Sequence, residues 1–122
     1  MNNVSFSHQL TGTVNPYITA AGTTVIGRAP ADGVGGGVTI TAAFAQARGG
    51  TSTLTVVDLG AAGTGVPAGT ICTVALSGVG DHVAAGAPNG YWLDGGNYIG
   101  VVYGVGTVTL PSGLVINGVV GR

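Results

Sequence analysis

Residues 90–104 read GYWLDGGNYIGVVYG, and the way this stretch folds decides the architecture. It carries the single tryptophan, Trp92, and three of the four tyrosines, Tyr91, Tyr98 and Tyr103, so most of the bulky surface for a core or a contact is gathered here. Its centre, Asp94-Gly95-Gly96-Asn97, has the chemistry of a tight reversal: Gly and Asn tolerate positive φ, and Asp bonds its own backbone. The pattern predicts a β-hairpin. In its second arm Ile99, Val101 and Tyr103 face one way and Tyr98, Gly100 and Val102 the other. In its first arm Tyr91 and Leu93 share a face and Trp92 takes the opposite one, which predicts Trp92 inside the domain and Tyr91 at a contact.

Outward from the hairpin, composition points the same way. At 122 residues the chain has the length of one domain with a real core. Hydrophobic residues make up 45% but charged residues only 6%, far below the usual quarter. The three cations are Arg28, Arg48 and Arg122, the four anions are Asp32, Asp58, Asp81 and Asp94, and Lys and Glu do not occur. With them go the best long-helix formers, while Val and Thr favour strands. The fold class is all-β.

Upstream, residues 38–46 alternate, with Val38, Ile40, Ala42 and Phe44 opposite Thr39, Thr41, Ala43 and Ala45, the mark of a half-buried strand. Arg48-Gly49-Gly50 reads as a turn into residues 52–59, where Leu54 and Val56 oppose Thr55 and Val57. After a Gly/Ala loop, residues 70–76 set Ile71, Thr73 and Ala75 against Cys72, Val74 and Leu76. Residues 82–87 reach the hairpin through Asn89-Gly90, and residues 106–110 and 114–120 flank a turn at Pro111-Ser112-Gly113. Residues 14–19 and 23–28 supply two more short strands, with Pro16 marking the first as an edge, and residues 29–37 form a loop turning at Asp32-Gly33. Short strands at this spacing predict a β-sandwich or jelly-roll-like domain over residues 13–122, preceded by an extended N-terminal arm at 1–12. The arm is polar but holds Phe6 and Leu10, apolar side chains with little reason to stay in water, so both join Tyr91, Tyr98 and Tyr103 as candidate assembly contacts.

Catalytic, cofactor and metal chemistry find no foothold in the pattern. A phosphate loop of the Walker type needs a lysine. Gly63-Thr64-Gly65 with Ala68 imitates a dinucleotide fingerprint, but the Thr/Val-rich segment that follows cannot supply the helix whose N-terminus holds a pyrophosphate. Cys72 sits mid-strand among apolar neighbours and reads as an inert thiol; His82 beside Asp81 lacks a second His or Cys nearby, and the Asp residues other than Asp58 belong to turns. The sequon Asn3-Val4-Ser5 reads as coincidence. Scattered arginines make no nucleic-acid patch. MNNVSFSHQL has neither a positive n-region nor an apolar h-region, and no apolar run nears the roughly 18 residues of a spanning helix, so neither signal peptide nor membrane partner is expected.

A surface this poor in charge has little protection against association, since a net charge of −1 gives almost no repulsion. The polar start MNNVSFSHQL, the stretch TAAGTTVIGRAPADGVGGGVTITAAF and the β-rich end GTVTLPSGLVINGVVGR together resemble the small β-structured proteins of tailed-phage virions, in particular capsid decoration proteins. The resemblance implies a non-enzymatic structural protein on the capsid surface, a homo-oligomer such as a trimer, whose arm clamps the major capsid protein or another virion protein. The scarcity of charge departs from that group and leaves open a glycan- or receptor-binding module of a tail tip or fibre, stacking sugars on exposed aromatics.

Overall fold

The computed structural model describes residues 3–8, 17–18, 22–30, 36–63, 67–78, 80–103 and 106–120. Among these the protein is all-β. Its strands are β1 (Asn3–His8), β2 (Tyr17–Ile18), β3 (Gly22–Arg28), β4 (Gly37–Gly60), β5 (Gly69–Gly78), β6 (His82–Gly86), β7 (Tyr91–Asp94), β8 (Tyr98–Tyr103) and β9 (Gly106–Val120). All pair antiparallel in one sheet.

The sheet is organised around β4, a single strand of 24 residues. On one side of it β8 runs from Gly60↔Tyr98 to Leu54↔Tyr103, and β9 continues the same ladder from Thr51↔Thr107 to Thr39↔Val119. On the other side β5, β6 and β7 follow one another from Asp58↔Gly69 down to Gly37↔Asp94. Beyond β8 and β9 lie β3, β2 and β1, so the described chain forms four long antiparallel tracks. A straight strand as long as β4 would extend roughly 80 Å. Yet Asp94, paired at the start of β4, and Tyr98, paired at its end, are joined by one four-residue turn. The sheet therefore folds over, and its two halves face each other. The first leaf contains β1, β6, β7, the start of β4 and the end of β9; the second contains β3, β5, β8 and the end of β4.

Several turns expected from sequence are instead places where a strand bends or bulges. Gly49 and Gly50 do not reverse the chain: both remain in the β4–β9 ladder, with Gly50 at φ 107°. Opposite them, Pro111 lies inside β9, where the register shifts between Ala47↔Ser112 and Gly49↔Thr109. A bulge is one of the few positions in a sheet that accepts a proline, which has no N–H for the ladder. Long strands bent at this waist replace the short strands of the expected sandwich.

A second shift, between Ile40↔Gly118 and Ala42↔Asn117, leaves Thr41 as an extra residue. Inward facing passes from Val38 and Ile40 to Ala43, Ala45 and Ala47, and Phe44 turns outward. Likewise an extra residue on β5, Ile71, lets Ile71 and Cys72 both be buried. The core combines these residues with Leu54, Val56, Val74, Leu76, Leu93, Ile99, Val101, Leu114 and Ile116 from the inner faces of both leaves.

Asn3–His8 is the other departure. This part of the expected arm is strand β1, paired along β9 from Asn3↔Val119 to His8↔Leu114. Phe6 is buried in the core against Gly27 of β3, where a Cβ would collide with its ring. The sequence signal is the alternation of Val4 and Phe6 with Asn3, Ser5 and Ser7. The Asp32-Gly33 turn lies outside the described residues.

Candidate assembly surface

The aromatic stretch builds the closure of the sheet, and it is not a hairpin. Asn97 N–H donates to Asp94 O (3.0 Å), as a turn requires, but positive φ occurs only at the second central residue, Gly96 (φ 85°). This is type II geometry, which splays its arms where the primed hairpin turns would hold them together. β7 accordingly pairs with the start of β4, and β8 with its end and with β3. The turn is tied down by Gly95 N–H to Gly36 O (3.1 Å), Gly96 N–H to Ala29 O (3.0 Å) and Ala29 N–H to Asn97 O (2.8 Å). A side chain at position 95 would meet Pro30 O and Gly36 O, so only glycine fits there.

Asp58 is the polar centre of this closure. Its buried carboxylate accepts from Gly60 N–H (2.8 Å), the Tyr91 hydroxyl (3.0 Å) and Asn97 Nδ2 (3.3 Å). Burial, and then the hydrogen bond to Asp58 and the charges of Asp58 and Asp94, push the Tyr91 hydroxyl up to about 12. Arg28 Nε donates to Gly96 O (3.0 Å), and its guanidinium lies 5.1 Å from the centre of the Tyr98 ring. A carboxylate so fully engaged acts as a clasp between the sheet's two ends. The Cys72 thiol is buried, and burial raises its pKa, so little thiolate forms near neutral pH. Among the described residues no three His, Cys, Asp or Glu side chains gather as a metal site.

The sequence-selected contacts thus do not share a face. Phe6 is core, a correction to its place in an assembly arm. Tyr91 packs partly buried against the core and bonds Asp58, while Trp92, on the opposite face, donates to the exposed Asp94 and covers Gly37, the reverse of the expected arrangement. Tyr98 lies under Arg28 and against Gly63. Leu10 and the side chain of Tyr103 fall outside the described residues.

What the sequence missed is the outer face of the first leaf. Phe44, 42% exposed, stands directly across from Val115, 39% exposed, on β9 and from the exposed Ala85 on β6. Val83, 62% exposed, is paired with Gln46 and so lies diagonal to Phe44 on the same face. Beside this apolar row is an open groove of about 400 Å³ lined by Asn3, Ser5, Thr41 and Asn117 together with Val4 and Val119. There Ser5 Oγ donates to Asn117 Oδ1 (3.1 Å) and Thr41 Oγ1 to Asn117 O (3.3 Å). No charged residue interrupts either half; the pair Arg48–Asp81, 3.6 Å apart, lies past its edge at the waist. The signal that would have located the face is the bulge at Thr41, which alternation alone does not reveal.

No protein-family model, curated protein or solved structure matches this chain.

Proposed function

We propose that this chain is a non-enzymatic structural protein of a virion, which stabilises a capsid shell through the outer face of its first leaf. The observation that carries the reading is the row Ala85–Phe44–Val115 with Val83 beside it, an exposed apolar patch with no charged residue among its members. Such patches mark protein contacts, and with so few charges the affinity must come from apolar burial and neutral hydrogen bonds. Sugar stacking has less support, because Phe6 is buried and Tyr91, Trp92 and Tyr98 are partly covered, which leaves Phe44 as the one described aromatic open to a ligand.

Co-sedimentation with purified phage heads tests the proposal. The native chain should pellet with the heads, and Phe44→Asp should remain in the supernatant with an unchanged circular dichroism spectrum. Equal pelleting of both, or of neither, would overturn it.

A further inference from the structure

We propose that Asn89-Gly90 is a site of spontaneous covalent modification, at which the chain converts its own asparagine to aspartate or isoaspartate. The inference is independent of the capsid reading.

The reaction needs only water and hydroxide. The Gly90 backbone nitrogen, once its proton passes to hydroxide, attacks Cγ of Asn89. A C–N bond closes a five-membered succinimide, and the side-chain nitrogen leaves as ammonia. Water then opens the ring at either carbonyl, leaving aspartate with the original backbone or isoaspartate with the chain routed through the side chain. The sum is amide plus water to carboxylic acid plus ammonia. A glycine in the second position favours the attack, because it has no Cβ to crowd the ring and its backbone turns freely.

The fold separates three described pairs able to close this ring. Asn117-Gly118 lies within β9, between β1 and β4, in register with Ser5 and Val4 on one side and with Ala42 and Ile40 on the other. Asn117 Oδ1 accepts from Ser5 Oγ, and a Cβ on Gly118 would meet Val38 and Thr39 O, so ring closure there requires the ladder to open. At Asp94-Gly95, where closure would expel water, the carboxylate takes the Trp92 N–H and Gly95 N–H is held by Gly36 O. Asn89 and Gly90, in contrast, are both exposed, at φ 55° and 70°, in the turn between β6 and β7. One backbone bond closes that turn, Tyr91 N–H to Pro88 O (3.1 Å), and among the described residues nothing bonds the Asn89 side chain or the Gly90 N–H. Conversion adds a carboxylate to a chain of net charge −1, and isoaspartate also lengthens the backbone of a turn whose two central residues are fitted to their strands.

Incubation of the full chain in warm, mildly alkaline buffer, followed by mass spectrometry of chymotryptic peptides, tests the proposal. The peptide ending at Tyr91 should gain the mass of an amide-to-acid exchange, and split into two chromatographic forms, at least about tenfold faster than the peptide holding Asn117. In guanidinium chloride the two should convert at similar rates. Asn89→Gly, which retains a residue suited to the turn, should abolish the early release of ammonia. Conversion at Asn117 as fast as at Asn89 in native protein overturns the inference. So does an Asn89 that converts in guanidinium chloride but not in the native chain, or an equal preference for Asn89 in both.

Discussion

The Tyr91 hydroxyl donates to Asp58 Oδ2 across 3.0 Å, joining β7, which pairs with the start of β4, to the end of β4 itself. The bond spans the folded sheet, so its loss reports on closure. Tyr91→Phe keeps the ring's packing and removes one of the three donors that engage the Asp58 carboxylate, and should lower unfolding stability by about 1–2 kcal/mol. Urea denaturation with an unchanged m-value checks it. A loss under about 0.5 kcal/mol, the range of ordinary surface substitutions, would show that the clasp does not hold the ends together.

The same bond predicts an alkaline limit. Tyr91 titrates at about 12 in the folded chain against an ordinary 10.0. Between those values the folded state retains a proton that the unfolded state has lost. Stability from this group is thus complete below pH 10 and declines as pH rises toward 12. Tyr91→Phe should flatten this part of the stability profile, with the remaining tyrosines as background. An equally steep decline in the variant would place its origin elsewhere.

Phe6 and Gly27 can be tested as a pair. Phe6→Ala leaves a cavity under β1 and should cost about 3 kcal/mol. Gly27→Ala drives a methyl group into the Phe6 ring and should cost about 1–3 kcal/mol. In the double variant the new methyl enters the space the ring vacated, so the loss should be smaller than the sum of the two. Additive losses in a denaturation cycle would mean that the two residues do not touch. Removing residues 1–8 should likewise lower the melting temperature, as expected for a strand and not for a free arm.

Cys72 should resist modification. The thiol is buried and burial raises its pKa, so its reaction with a disulfide reagent at pH 8 should be at least about 100-fold slower in native protein than in urea. Comparable rates would show that β5 opens readily.

Local chemistry was legible wherever one segment determines its own conformation. Scarce helix formers and abundant Val, Thr and Gly gave the all-β class, and Asn89-Gly90 forms its turn with both residues at positive φ and Tyr91 N–H on Pro88 O. Asp94–Asn97 is a turn as well, but turn residues specify a reversal and not which strands its arms join. That choice was made by the two ends of β4. Phe44 escaped for a related reason: a single extra residue at Thr41 inverts the faces beyond it, and nothing in Thr41 itself announces the bulge. Glycine pairs were ambiguous too, since the freedom that permits a turn also permits a bend.

Gly49 and Gly50 allow that ambiguity to be resolved by substitution. Both are half-buried at the waist, in register with Thr109 and Val108 of β9, but positive φ is found only at Gly50. At 107° an L-residue is strained by about 1–3 kcal/mol, whereas a β-region glycine replaced by alanine loses little and restricts the unfolded chain. Gly50→Ala should therefore be destabilising by that amount and Gly49→Ala nearly neutral, as read from urea denaturation of each. The bend positions the two leaves, so Gly50→Ala should also weaken the Tyr91–Asp58 clasp, and combining it with Tyr91→Phe should cost less than the sum of the two. If the two alanines cost the same, Gly50 does not carry the bend. In that case the β9 bulge at Pro111 is left as the feature that folds the sheet.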